Sequence, residues 1–493
     1  MRIAFSVFKA LTRSSVKRFE AALMAPEATQ KQVLTELTDM VAQTEYGQHY
    51  EIHSLADFRE KLPLVEYGEL QPWVERQKAS AARVLTAEPP KLYEKTSGSS
   101  GPAKYIPYTK ALQNSFSRMF GLWAYDVLEN GPGLRSAKLF FSISPSFGEP
   151  ETTEAGTQVG LEDDSDYVSG WMNWFLKPFF AVPTSLSSIR DPEVFKLELA
   201  RALAKARDLE VISVWNPSFL TMILSYMREN SAELGLATDF ETKDVWPNLK
   251  LISCWTSANA APLAERLKEE FPEVLVQGKG LLATEAPITI PWIAAKGFVP
   301  LLDEVFLEFE TQSGDLLLLH ELQEDETYRV IVSQKGGLCR YRMGDLVKVT
   351  GFYQQTPCLD FVGRADSVSD LVGEKLSEEF VHQTLQNLRD EFSGFAMLVP
   401  VRKPHDQYVL LVSNTNSSVE KLADLLESGL CQAHHYQHAR HLQQLGPCRV
   451  VVAKNASDLF LEEEQRRGLK LGDIKPRSLY HQVASETLME ILQ

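Results

Sequence analysis

Between about residues 138 and 360, short runs of β-branched and aromatic residues alternate with helix-length amphipathic stretches, which leaves few architectures open. The runs include 138–143 (KLFFSI), 211–215 (VISVW), 249–254 (LKLISC) and 274–277. The helical patterns between them fall at 193–207, 219–230 and 262–271. Nearly continuous apolar strands separated by crossover helices build a mostly parallel sheet covered on both faces. Beyond residue 304 the pattern changes. Segments 305–309 and 316–320 flank the turn signal Ser313-Gly314-Asp315, and 328–332 and 346–349 continue an antiparallel, barrel-like section. After Arg364 the chain starts again, with helices at 377–388 and 419–430, a hairpin at 395–401 and 408–413, and a strand at 449–453.

A chain of 493 residues is too long for one hydrophobic core. The expected architecture is α/β: a large N-terminal domain over 1–365, with mostly parallel sheets flanked by helices, and a small mobile α+β domain over 366–493. Near the start, Val33, Leu34, Leu37 and Val41 share one helical face. Ile3, Val7, Phe8 and Leu11 also fall at helical spacing, which favours an amphipathic helix over a signal peptide.

The formal net charge of −16 opposes general binding to nucleic acid or anionic membranes, so a nucleotide site here has to be locally basic and supplied with a metal ion. No run of about 18 apolar residues suggests a membrane span. Five cysteines, odd in number and without a CxxC pair, suit a reducing, cytoplasmic setting.

Five polar clusters carry chemistry. The first is Thr96-Ser97-Gly98-Ser99-Ser100-Gly101-Pro102-Ala103-Lys104, a turn rich in hydroxyls and glycine that ends in a cation. Such a loop aims backbone N–H groups and hydroxyls at one anion, although a flexible connector has the same composition. It is not a Walker loop, because Ala103 stands where that motif needs glycine. The second is Gly280-Leu281-Leu282-Ala283-Thr284-Glu285, which follows a strand pattern and puts a hydroxyl and a carboxylate at a sheet edge. Glu285 there suits a magnesium ion already held by phosphate, or is simply a solvated loop acid. The third is Arg340-Tyr341-Arg342-Met343-Gly344-Asp345: an aspartate after a glycine turn accepts from two adjacent sugar hydroxyls, or pairs with arginine to close a hairpin. The fourth is Gly363-Arg364-Ala365-Asp366 at the domain boundary, and the fifth is the cationic turn 470–477 (KLGDIKPR).

Their order resembles the adenylate-forming superfamily of acyl-acid synthetases, luciferases and peptide-synthetase adenylation domains. Further stretches narrow the likeness: Tyr105-Ile106-Pro107-Tyr108-Thr109, the doubled Arg340-Tyr341-Arg342, Gly373-Glu374-Lys375-Leu376-Ser377-Glu378, Ile474-Lys475-Pro476-Arg477 and, near the start, Thr44-Glu45-Tyr46-Gly47. Together these resemble the auxin-responsive acyl acid–amido synthetases of plants and their bacterial relatives, over nearly the whole chain.

The resemblance implies an ATP- and Mg2+-dependent ligase that adenylates a small carboxylic acid and passes the acyl group to an amine, usually of an amino acid. By the same likeness, Thr96, Ser97, Gly98, Ser99 and Ser100 with Lys104 form the phosphate loop. Thr284 and Glu285 follow, with Glu285 binding magnesium. Tyr341 and Asp345 face the nucleoside, Asp345 at the ribose, and Arg364 lies by the hinge. Ser257 belongs to the adenine-side segment 257–259. Lys475 is the mobile C-terminal lysine, with Lys470 its rival. The residue after Glu285 is Ala286 where glycine is commoner, which bears on the acyl pocket rather than on the reaction.

An acyl-coenzyme A or acyl-carrier-protein ligase would use the same first step, and a silent nucleotide-binding scaffold would keep the fold alone. Three other features are set aside. His434, His435, His438 and His441 read as a solvated helix face, Trp171, Trp174, Phe175, Phe179 and Phe180 as core, and Glu462-Glu463-Glu464 with Arg466 and Arg467 as an exposed helix start.

Overall fold

The structure is a computed structural model. It describes the chain except for residues 1, 97–103, 137, 142–150, 161–178, 184, 187–188, 190, 365–367, 373, 375, 403–404, 442–443, 467–473, 482–483, 486–487, 490–491 and 493. The chain folds as two compact units that part after Phe361.

In the first unit, four parallel strands lie in the order Leu139–Phe141, Val211–Ser213, Leu251–Cys254, Leu275–Gly278, with Leu139, Val211, Leu251 and Leu275 in register. This is the sheet that the alternating pattern predicts. Its intervening helices begin where the sequence supplies a cap. Asp191 accepts from Glu193 N and Val194 N ahead of Pro192–Lys205, Asn216 accepts from Ser218 N ahead of Pro217–Glu229, and each helix has proline in its first turn. Ala261–Glu270 supplies the third helix.

The other sheets of this unit are mainly antiparallel. The barrel-like section is an open five-stranded sheet, in the order Leu316–Leu318, Phe306–Glu310, Thr327–Ser333, Tyr341–Tyr353, Thr356–Arg364. Its first and last strands stand at opposite edges, and the three-residue Leu316–Leu318 is too short to carry the pairing round to the far side.

The N-terminal helix, Arg2–Met24, corrects one expectation. Val7 and Leu11 are 49% and 63% exposed, while Phe8 is buried as expected and its face continues through Thr12, Val16, Phe19 and Leu23. The larger apolar set at positions 16, 19 and 23 fixes the rotation of the helix. Phe19 packs edge-on against Trp292 at 5.4 Å, and each such buried side chain stabilises by about 1.5–3 kcal/mol. The next helix, Pro26–Val41, buries Val33, Leu34, Leu37 and Val41 as its spacing predicts. It also buries Gln30, whose amide donates to Leu302 O (2.6 Å) and Val305 O (2.7 Å) and accepts from Leu307 N (2.9 Å).

The second unit is built on a three-stranded sheet, Phe392–Val401, Gln407–Thr415 and Arg449–Val452. Alternate residues of the hairpin divide between two cores. Leu398, Leu410 and Val412 join Leu422, Leu426 and Leu430, whereas Met397, Val399, Val409 and Leu411 join Phe460, Ile474 and Tyr480. The helix Glu378–Asn387 starts at Ser377, whose side chain accepts from Phe380 N.

A second correction belongs to this unit. Glu462, Glu463 and Glu464 end the helix Ala456–Arg466 rather than start one, and Glu464 is buried because it shares the inward face with Phe460, one turn earlier. On the His434–His441 helix, His435 and His441 are exposed while Tyr436 is buried, and no group of three metal-ligating side chains converges among the described residues. Of the aromatic run, only Phe179 and Phe180 are described, and Phe179 is buried.

Candidate functional site

The strand Lys104–Tyr108 pairs with Leu92–Thr96, Lys104 opposite Thr96, so residues 97–103 connect the two. Ser97, Gly98, Ser99 and Ser100 lie outside the described residues, as does the side chain of Thr96. Lys104 Nζ donates to Tyr341 OH at 3.3 Å and stands 5.9 Å and 6.0 Å from the ring centroids of Tyr67 and Tyr341. Tyr67 OH accepts from Tyr105 N at 2.7 Å, and burial pushes its phenol up to about 12, so the ring is neutral beside the lysine. The ammonium is therefore framed by aromatic faces and a phenol.

Thr284 and Glu285 form the two-residue turn of a tight hairpin, with Ala283 opposite Ala286 and Leu282 opposite Pro287. Both turn carbonyls are pinned. Tyr108 OH donates to Thr284 O at 2.7 Å, and Gln334 Nε2 donates to Glu285 O at 3.1 Å. With the backbone held, the half-buried Glu285 carboxylate makes no hydrogen bond or ion pair among the described residues. The glycines leading into the turn have no room for a side chain. A Cβ on Gly278 would sit 2.4 Å from Thr256 Oγ1, and one on Gly280, whose φ is +74°, 2.5 Å from Thr289 Oγ1.

One strand connects the two clusters. Lys104 at the start of Lys104–Tyr108 meets Tyr341, and Tyr108 at its end meets the Thr284–Glu285 turn, a span of about 13 Å. The exit of the 97–103 connection and the Glu285 turn thus meet the two ends of one strand.

Tyr341 and Asp345 lie in the strand Tyr341–Tyr353, not in the glycine turn suggested by the sequence. The pairing register jumps from Ile331↔Arg342 to Arg329↔Leu346, which makes residues 343–345 a bulge, with Gly344 at φ +80°. A bulge re-aims the side chains at its shoulder, here Asp345, which is only 9% exposed. Upstream, Arg340 (φ +51°) is locked by Glu308 through two contacts of 2.9 Å and 3.0 Å, and donates to Arg59 O and Leu62 O. Val65 then brackets Tyr341, accepting from Arg342 N and donating to Arg340 O. Arg340 and Arg342 are accordingly structural: Arg342 pairs with Glu310 at 2.8 Å.

Ser257 follows the parallel strand Leu251–Cys254 at the sheet's C-terminal edge, where open α/β folds bind ligands. Its Oγ donates to Asp360 Oδ1 at 2.6 Å, joining this edge to the antiparallel sheet that carries Tyr341 and Asp345. Burial raises the Asp360 carboxyl above its ordinary value, against the lowering effect of the Ser257 hydrogen bond. Ala258, next in the chain, has φ +50°, a conformation that stores backbone strain.

Lys104, Ser257, Thr284, Glu285, Tyr341 and Asp345 belong to the first unit; Arg364, half-buried, and the exposed Lys475 belong to the second. Lys470 lies outside the described residues. Tyr67, Tyr108, Gln334 and Asp360 were not anticipated. Tyr108 alone had a local signal, standing in the loop's continuation, whereas the others act through contacts remote in sequence.

The donor set suits a magnesium nucleotide: an uncommitted carboxylate on a pinned turn, a lysine at a loop exit and an aspartate on a bulge.

Three profiles of one family match most of the chain: the GH3 family N-terminal domain over residues 15–239, its central domain over 298–364 and its C-terminal domain over 377–483. Among curated relatives, the 4-substituted benzoates-glutamate ligase GH3.12 of Arabidopsis thaliana is 22% identical over 412 residues, covering 72% of this chain and 71% of that protein. The probable indole-3-acetic acid-amido synthetase GH3.1 of the same plant is 23% identical over 422 residues, covering 73% and 70%. Among solved structures, AtGH3.15 acyl acid amido synthetase in complex with 2,4-DB superposes with a TM-score of 0.83 at 17% identity, covering 98% of this chain and 95% of that one. A 2-hydroxyisobutyryl-CoA ligase in its postadenylation state superposes with a TM-score of 0.55 at 14% identity, covering 87% of each. No helix among the described residues is long and apolar enough to cross a membrane.

Proposed function

The chain belongs to the GH3 family, and on that premise we propose that it is an ATP-dependent acyl acid–amido synthetase. A carboxylic acid attacks the α-phosphate of ATP, releasing pyrophosphate and forming an acyl-adenylate. The amine of an amino acid then attacks the acyl carbon, and AMP leaves as the amide forms.

Both substrates of the first step are anions, so the protein's task is to neutralise and align them; no enzyme nucleophile is required. Residues 96–104 cradle the phosphates, with Lys104 held by Tyr341 as their counter-charge. Asp345 accepts from the ribose hydroxyls, and Tyr341 and Ser257 flank the nucleoside. Thr284 lies on the nucleotide side of the Thr284–Glu285 turn, and Glu285 supplies the carboxylate for Mg2+, which when bound offsets phosphate charge. Arg364 sits at the hinge by the nucleotide, and Lys475 comes from the C-terminal domain, reaching the carboxylate and α-phosphate in the first step and withdrawing for the second. We assign residues 1–365 to the adenylation domain and 366–493 to the mobile domain. The enzyme works in the cytoplasm, where its free cysteines stay reduced.

The observation that carries this assignment is the strand Lys104–Tyr108, which ties the phosphate-loop exit to the Glu285 turn. The test is ATP–pyrophosphate exchange with a panel of benzoates, indole-3-acetate and aliphatic acids, followed by mass detection of products with the twenty amino acids or coenzyme A. Acid-dependent exchange followed by amide products is expected. Thioester products would favour the coenzyme A ligase, and no exchange with ATP still bound would favour a silent scaffold.

A further inference from the structure

The segment that carries Lys475 is held far more firmly than an exposed lysine near a chain end requires. Ile474, Ser478, Leu479 and Tyr480 are buried on either side of the exposed Lys475. The backbone of 478–480 is stitched to the strand Phe392–Val401, with Leu398 N donating to Ser478 O and Tyr480 N to Leu398 O, both at 2.8 Å.

One largely enclosed carboxylate grips the same segment at two points. Glu378, the first residue of the helix Glu378–Asn387, accepts from Ser478 N through Oε1 at 3.1 Å and meets His481 Nε2 through Oε2 at 3.1 Å. Its side chain is 13% exposed and that of His481 7%. One turn along the helix, His382 Nδ1 lies 2.9 Å from Ser478 Oγ, and Gln386 Nε2 donates to His382 Nε2 at 3.1 Å, which makes Nδ1–H the donor to the serine. On the other side Arg477 stands 4.0 Å from Glu464, and Tyr480 OH lies 3.5 Å from the same carboxylate. The stalk is thus fixed on its C-terminal side by the helix Glu378–Asn387.

We propose that Glu378 is a positioning residue for Lys475: by clamping Ser478 and His481 it fixes the stalk from which the lysine projects, so that the ammonium is delivered in one geometry to the adenylation step. The proposal rests on the function proposed above. Glu378 acts through the stalk, by way of the Ser478 backbone three residues downstream of the lysine and the His481 ring. Because misplacement of a reacting group by about 1 Å costs up to roughly 100-fold in rate, a clamp of this kind sets the rate of the first half-reaction without affecting nucleotide affinity.

The test uses full-length Glu378→Gln and the acid that gives wild-type protein its fastest pyrophosphate exchange. Expected is a fall in exchange kcat of about 10- to 100-fold, with KM for ATP within about twofold, a wild-type melting transition, and unchanged transfer from the preformed adenylate of that acid to the amino acid that wild type uses. Exchange at the wild-type rate in the folded variant overturns the proposal, as does an equal loss in both half-reactions, which would mark Glu378 as part of the general scaffold. Should Glu378→Gln fail to fold, His481→Gln decides. It leaves the Ser478 contact intact, and a smaller fall confined to exchange is expected; no fall, or a fall shared by both steps, refutes the clamp. Absence of exchange in the wild-type protein itself would count against the adenylation function instead.

Discussion

Two glutamates of the first unit lie in neighbouring sheets and are used in opposite ways. Glu308 has a side chain only 1% exposed, and both of its oxygens are committed, to Arg340 at 2.9 Å and 3.0 Å and to Arg59 at 3.3 Å. Glu285 is half-buried on a turn whose carbonyls are pinned by Tyr108 and Gln334, and its carboxylate is committed to nothing among the described residues. The contrast shows how this fold separates structure from chemistry. Glu308, which shapes the backbone, is buried in a pair, whereas Glu285, the charge proposed for a ligand, stands on a backbone fixed by neutral hydrogen bonds.

If that contrast is correct, removing each carboxylate gives opposite signatures. Glu308→Ala leaves a buried guanidinium unpaired and is expected to destabilise the protein by about 3–5 kcal/mol, read as a lower urea midpoint. Glu285→Gln is expected to leave stability within about 0.5 kcal/mol of wild type while lowering pyrophosphate exchange by about 100- to 1000-fold. Destabilisation by Glu285→Gln as large as that from Glu308→Ala would break the distinction.

Tyr108→Phe probes the pin itself. It loses one hydrogen bond to Thr284 O, worth about 0.5–1.5 kcal/mol, and is expected to slow exchange about two- to tenfold with little change in melting.

The smallest effect concerns pH. Burial raises the Asp360 carboxyl above 3.8 in the folded protein. Between the unfolded and folded values the native state binds more protons, so this group's contribution to stability falls as pH rises through that window. Asp360→Asn should flatten that part of the stability profile measured by denaturant titration at stepped pH. A steeper profile in the variant would show that the assigned direction is wrong.

Much of the fold was legible because its signals are local. Helix starts at Asp191, Asn216, Ser377 and Ser418 are capped as their side chains dictate, and the run 138–277 reads directly as a parallel sheet. The expected apolar face of the first helix held at Phe8 and failed at Val7 and Leu11, which satisfy helical spacing but stay exposed, because the packing among the described residues runs along the face through Phe8 and Phe19. Glu464 was mistaken for a surface acid because Arg477 and Tyr480, which approach it, lie more than ten residues away.

In the site, Lys104, Glu285 and Asp345 were identifiable by charge and by neighbouring glycine. The bulge that aims Asp345 was not, because it exists only in the pairing of two strands. Ser257–Asp360 and Tyr108–Thr284 span separations that no motif encodes. The groups proposed to face a ligand therefore stand in local motifs, whereas the residues that hold them do not.

Acid-dependent exchange of labelled pyrophosphate into ATP, compared between wild type and Glu285→Gln at matched stability, bears most directly on the whole account. The expected result is exchange by wild type that requires both Mg2+ and a carboxylic acid and nearly vanishes in the variant. Equal exchange by the two folded proteins would contradict it.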